Sequence, residues 1–183
     1  MTNWLILTLM AGLAFNARAA DSDFDPDTGL RIHHYTTETP MTVPGGTRVG
    51  ALEVEALARA GALLLDVLSI PEGRYDELDG TWPEHAPRQN IPGSVWTPNV
   101  GFGVSEDDMQ AYLSETVGRL TGGSLWHPIV VYCIKDCWMG WNATQHLAEL
   151  GYRSLFWFAD GTDAWLAAGL PVAASEPLAV NVD

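Results

Sequence analysis

Basic residues are scarce in this chain: nine Lys and Arg stand against twenty-three Asp and Glu, a formal charge of −14 over 183 residues. So acidic a chain repels polyanions and lacks the clustered Lys and Arg that nucleic acid or an anionic lipid surface requires, so neither is expected as a partner. Cysteine is scarcer still, at two. Two thiols fall short of zinc's usual four ligands, and the adjacent His33 and His34 project in different directions, so no metal and no other cofactor is expected. Nothing repeats, and no second core is marked. With 47% hydrophobic and 17% charged residues, the length fits one globular domain burying roughly two thirds of its unfolded surface.

Long apolar runs are missing except at the start. Residues 4–15 (WLILTLMAGLAF) lead through Asn16, Ala17, Arg18, Ala19 and Ala20 to the acidic Asp21. The run is short for a transmembrane helix, and Ala17-Arg18-Ala19 has the small-x-small form of a cleavage site, so residues 1–20 read as a secretory signal peptide. An uncleaved anchor is the alternative, because the opening MTNW lacks a basic residue. The mature protein is then expected in the periplasm with no membrane segment. Its charge becomes −15, since Arg18 leaves and no acid does. A basic protein is the easier electrostatic match for such a surface. Export also puts both cysteines where a disulfide persists.

In the mature chain, residues 21–47 are rich in Asp, Thr, Pro and Gly with few apolar positions, which predicts an extended N-terminal arm. Residues 51–60 (ALEVEALARA) predict a helix stopped by Gly61, and residues 62–67 (ALLLDV) a buried strand. Asp66, near that strand's end, is either a catalytic group or a hydrogen-bonding residue that shapes the next loop. Residues 74–90 form a polar loop with two prolines, long enough to lie over a site. Residues 91–96 (IPGSVW) turn into a short strand. Ser105, followed by Asp108, predicts a capped helix closed by Gly122 and Gly123, which explains its acids without chemistry. Residues 154–158 (SLFWF) predict another strand, residues 162–168 (TDAWLAA) a short helix, and residues 174–183 a tail.

The rest is organised around the segment that holds both cysteines. Ile129, Val130, Val131 and Tyr132 read as a buried parallel strand with Cys133 at its end. From about Trp138 the pattern is helical, with Ala143, Leu147 and Leu150 on one face and Gly151 as the stop. Strands alternating with helices predict an α/β domain with a mainly parallel central sheet flanked by helices, whose ligands sit beyond the strand carboxyl ends. Cys133 is at such an end. Unpaired N–H groups and the positive end of a helix dipole favour an anionic sulfur there. Cys133 is thus the candidate nucleophile, and the backbone of Ile134, Lys135, Asp136 and Trp138 the candidate anion cradle. Asp136 opposes the field of Lys135, so the thiolate preference rests mainly on backbone dipoles. Trp138 and Trp141 are expected as an apolar wall beside the site, and Trp157 and Trp165 as core.

Leu64-Leu65-Asp66-Val67, Ile91-Pro92-Gly93-Ser94, Val130-Val131-Tyr132-Cys133, Leu150-Gly151-Tyr152, and residues 161–165 with Gly169-Leu170-Pro171 together resemble the rhodanese family over residues 48–173. The resemblance implies a single rhodanese-like domain in which the cysteine after the tyrosine, here Cys133, carries sulfur as a persulfide and passes it to a thiol or cyanide. The chain is further similar to exported rhodanese-like proteins associated with pyrroloquinoline-quinone-dependent (PQQ-dependent) catabolism and marked by a CXXCW motif. Cys133, Cys137, Trp138, Trp141 and Asn142 carry that likeness, although three residues separate the cysteines here. A quinoprotein dehydrogenase or its cytochrome is the partner it implies. Rhodanese loops that use thiosulfate carry a basic residue five positions after the nucleophile; Trp138 stands there, so thiosulfate lacks its usual counter-charge.

Cysteines four apart at a turn into a helix can bring their Cα atoms within the roughly 4.4–6.8 Å a disulfide tolerates, so Cys137 can resolve whatever forms on Cys133. Three chemistries stay open: persulfide transfer from a sulfur donor with Cys137 as resolving thiol, dithiol–disulfide exchange with a small thiol, and a permanent disulfide in a noncatalytic binding module. So short a closed loop adds little stability by chain entropy, which favours a redox role.

Overall fold

The computed structural model describes residues 22–70, 73–104 and 107–182. In chain order the elements are β1 (Thr47–Arg48), α1 (Ala51–Arg59), β2 (Leu63–Asp66), β3 (Arg88–Asn90), β4 (Val95–Trp96), α2 (Asp107–Leu120), β5 (Ile129–Tyr132), α3 (Trp138–Glu149), β6 (Leu155–Phe158), α4 (Gly161–Ala167) and β7 (Ala173–Ser175). Five strands form one sheet in the order β1-β6-β5-β2-β4, and every neighbouring pair is parallel. Strands β3 and β7 pair antiparallel as a separate ribbon. The α/β architecture expected from the alternation, a parallel sheet flanked by helices, is the one observed.

The period-two rule of strands explains how the helices divide between the two faces. On β5, Ile129 and Val131 pack with Leu65 of β2, Leu113 and Val117 of α2, and Ala143 and Leu147 of α3. Val130 and Tyr132 point the other way, against Leu64, Val54 of α1, Phe158 and Trp165 of α4. All four β5 residues are buried, which is why that strand reads as an unbroken apolar run. Each such side chain contributes about 1.5–3 kcal/mol of transfer free energy. Among the described residues no helix is long and apolar enough to cross a membrane.

Three strands escaped sequence reasoning because two or three residues show no period, and β1, β3 and β7 are that short. The arm and the tail are also packed. Leu30, Arg31 and Val43 of the arm are buried. Beyond β7, Leu178 N–H donates to the Trp96 carbonyl at 2.8 Å, while its own carbonyl accepts from the Trp82 indole at 2.8 Å and the Tyr112 hydroxyl at 2.6 Å. A parallel bridge from Pro177 to Trp96 lays the tail along edge strand β4. An otherwise open edge is thereby covered. The signal-peptide reading of residues 1–20 and the Ser105 cap lie outside the described residues. Asp108, expected only as part of that cap, accepts the Tyr75 hydroxyl at 2.7 Å and Arg74 at 2.8 Å, holding residues 73–75 on α2.

Candidate functional site

Parallel register sets the site. Asp66 lies opposite Tyr132 on one side and Trp96 on the other, and Tyr132 lies opposite Phe158, so these strands end level and the chain leaves the sheet at Cys133. Cys133 is joined to Cys137 by a disulfide, with the Cα atoms 6.5 Å apart. The turn between them closes through Asp136, whose φ of 57° is in the left-handed region that Asp tolerates better than most residues. Cys137 is extended and occupies the N-cap position of α3. Strand end, turn and helix start thus bring together the two cysteines singled out by spacing.

Both cysteines are buried: Cys133 is 2% exposed and Cys137 6%. Carbonyl oxygens of Ile134 and Cys137 lie 3.6 and 3.7 Å from Cys133 Sγ. Two amides of the expected cradle have protein acceptors in this bridged state. Lys135 N–H donates to Asp163 Oδ2 at 2.9 Å, and Trp138 N–H to the Tyr35 carbonyl at 2.9 Å. Ile134 forms an antiparallel bridge with Gly161, and Cys137 one with Thr36. The side chain of Lys135 is exposed, and those of Ile134 and Asp136 are partly buried.

The expectation of an open Trp138–Trp141 wall is corrected: both indoles are buried under the N-terminal arm. Their N–H groups explain why. Trp138 donates to Thr37 Oγ1 and Trp141 to the Thr42 carbonyl, each at 3.0 Å, so the rings are covered without stranding a donor. The Arg31 guanidinium lies 4.7 Å from the Trp138 centroid and 5.1 Å from that of Phe24. Asn142, fully buried, accepts Arg31 N–H at 3.0 Å and donates to the carbonyls of Arg31 and Gly101 at 2.8 and 2.9 Å. Tyr35 closes the cover, its ring edge-on to Phe102 at 5.3 Å and its hydroxyl accepting Gly103 N–H at 3.1 Å. Burial pushes the Tyr35 phenol above its ordinary pKa. A cleft of about 250 Å³ adjoins this cover, lined by Phe102, Tyr75, Trp82 and Met109.

Beneath the turn lies a charge pair. Asp66, fully buried, accepts Arg88 Nε and Nη2 on Oδ2, both at 2.8 Å, and Leu68 N–H on Oδ1 at 3.0 Å. Burial pushes the Asp66 carboxyl up, against the pull of Arg88 and the Leu68 amide. The same guanidinium reaches the Cys133 carbonyl through Nη2 and Thr162 Oγ1 through Nη1, each at 3.4 Å. Thr162 N–H donates to that carbonyl at 3.1 Å. At Gly161, with φ of 49°, an added Cβ would overlap the Cys133 carbonyl, so glycine is required there. Asp66 thus reaches the cysteine turn through Arg88. Sequence reasoning missed Arg88, Thr162 and Tyr35. The one available signal was Asp66 itself, a carboxylate in an apolar strand that needs a cation, with Arg88 three residues ahead of the Ile91-Pro92-Gly93 turn.

Fold and site together define a parallel α/β domain carrying a bridged cysteine pair where its central strand hands over to a helix. No protein-family model matches the chain, and no curated protein does. Among solved structures it is similar to a thiosulfate sulfurtransferase from Pseudomonas aeruginosa, at 24% identity and a TM-score of 0.49, over 72% of this chain and 21% of that one. It is also similar to the polysulfide-sulfur transferase homodimer from Wolinella succinogenes, at 18% identity and a TM-score of 0.45, over 70% and 79% of the two chains. The chain spans about a fifth of the length of the first.

Proposed function

We propose that this is a rhodanese-like protein that performs persulfide chemistry at Cys133, with Cys137 as resolving thiol. One observation carries the reading: Cys133, at the carboxyl end of the central strand, is bridged to Cys137 at the start of α3. In the cycle, an external dithiol first reduces the bridge and is itself oxidised to a disulfide. The Cys133 thiolate then attacks the sulfane sulfur of a donor, forming the Cys133 persulfide as the rest of the donor leaves as an anion. A thiol or cyanide acceptor can take the outer sulfur. Otherwise Cys137 attacks the inner sulfur, restoring the bridge and releasing the outer sulfur as hydrosulfide, so two thiols are oxidised while one sulfane sulfur is reduced. The bridge itself favours a second reading, plain dithiol–disulfide exchange through the same pair.

The protein works in the periplasm after removal of residues 1–20, as an accessory to PQQ-dependent alcohol oxidation. A quinoprotein dehydrogenase or its cytochrome is its partner. Support for this placement is the pattern of Cys133, Cys137, Trp138, Trp141 and Asn142, together with the apolar leader. Intact-mass analysis of the mature protein before reductant, after it, and then after inorganic polysulfide tests the chemistry. Gain of one sulfur in Cys137→Ser, where no resolving thiol expels it, and its absence in Cys133→Ser support transfer. A gain of two hydrogens alone supports exchange, and a bridge that resists reduction in the folded protein overturns both.

A further inference from the structure

An anionic sulfur at Cys133 needs a source of positive potential, and two amides of the turn are committed elsewhere. The Lys135 and Trp138 amides are engaged by Asp163 and Tyr35, and the carbonyl oxygens of Ile134 and Cys137 near Sγ oppose negative charge. The Lys135 ammonium is on an exposed residue, where solvent screens it. Other charges flank the turn. Asp136 is in it, Asp163 on α4 holds the Lys135 amide, and Asp160 ahead of α4 pairs with Arg48 at 3.1 Å. The buried guanidinium of Arg31 sits over Trp138, beyond Cys137, and pairs with Asp23 at 2.9 Å.

Arg88 differs from all of these. Its side chain is only 10% exposed, and it stands between Asp66 and the Cys133 carbonyl, so of that charge pair the cation is the member that touches the cysteine. We propose that Arg88 is the positioning residue of this site: anchored on Asp66, it fixes the Cys133 backbone and supplies the positive charge that keeps Cys133 a thiolate once the bridge is reduced. The proposal rests on the persulfide reading for its purpose but concerns the thiol alone.

The experiment uses the mature chain with Cys137→Ser, so that Cys133 is a free thiol, and follows the rate of iodoacetamide alkylation against pH by mass spectrometry. Adding Arg88→Met is expected to raise the Cys133 pKa by about one unit and slow alkylation at neutral pH several-fold. Arg88→Lys restores part of the shift. Asp66→Asn/Arg88→Met, which leaves no buried charge stranded, guards against misfolding and is expected to show the raised pKa as well. Thr162→Val removes a hydroxyl from the same carbonyl without changing charge and leaves the pKa in place. Coincident pKa values across the Arg88 series overturn the proposal, as does an equal shift in Thr162→Val, which makes the effect structural. Failure of the Cys137→Ser protein to take up sulfur, with the Arg88 shift intact, sinks the persulfide reading instead.

Discussion

The Tyr35 carbonyl accepts the backbone N–H of Trp138 at 2.9 Å, one residue beyond Cys137, so the N-terminal arm is hydrogen-bonded to the first turn of the helix that the cysteine bridge opens. Cys133 and Cys137 are buried beside it, at 2% and 6% exposure, so loosening of the arm is expected to ease access to the bridge. The arm also bridges Cys137 through Thr36, and the Tyr35 ring packs on the cluster that holds both cysteines.

Tyr35→Ala removes the edge contact with Phe102 and the bond from Gly103 N–H, together about 1–3 kcal/mol of closure. Reduction of the disulfide by a water-soluble phosphine is therefore expected to speed up about tenfold or more, read as free thiols against time. An unchanged rate would mean that the turn opens by itself.

Acid should loosen the same cover. The Asp23 carboxyl is held below its ordinary value first by its hydrogen bond with His34 and then by the charge of Arg31. A depressed carboxyl pKa stabilises the folded form above the unfolded value and loses that contribution as pH falls through the folded one. Asp23→Asn is thus expected to be reduced faster than the parent at neutral pH, and the two rates to converge in acid below the usual carboxylate range. A ratio that does not change with pH removes Asp23 as an anchor.

Asn142 ties the arm to the core through three backbone groups, so Asn142→Leu strands Arg31 N–H and two carbonyls. A loss of about 3 kcal/mol in urea unfolding is expected. Limited proteolysis should then cut within residues 32–42 before any other site.

Asp66 and Arg88 are buried together, and breaking one side leaves the other uncompensated. Asp66→Asn alone is expected to cost about 3–5 kcal/mol, and Asp66→Asn/Arg88→Met clearly less, measured by the same unfolding. If the double variant is the less stable of the two, the pair is a net stabiliser rather than a buried charge held for the cysteine turn.

Much of the frame was legible in residue order. The β2, β5 and β6 runs are apolar because both faces are buried, and β5 and β6 are each followed by a segment of helical period that ends in glycine. Cys133 stood out because it follows the most continuous of these runs, and Cys137 because the helix pattern begins just after it. The arm did not read as structure, since Leu30, Arg31 and Val43 are too far apart to form a face of their own. Trp138 and Trp141 read as exposed beside the site because nothing local signals that residues 24–43 return over them.

By itself, then, the sequence determined the order of the longer strands and of the helices and the position of a thiol pair at the end of the central strand, because these follow from local period and from where apolar runs stop. Only the tertiary structure decided what surrounds that pair. Arg88 is forty-five residues from Cys133 and Tyr35 about a hundred, and parallel pairing of β2 with β5 and packing of the arm on α3 bring them to the turn. Such contacts satisfy buried charges and buried N–H groups across the fold, a requirement that acts on proximity in space and leaves no pattern along the chain.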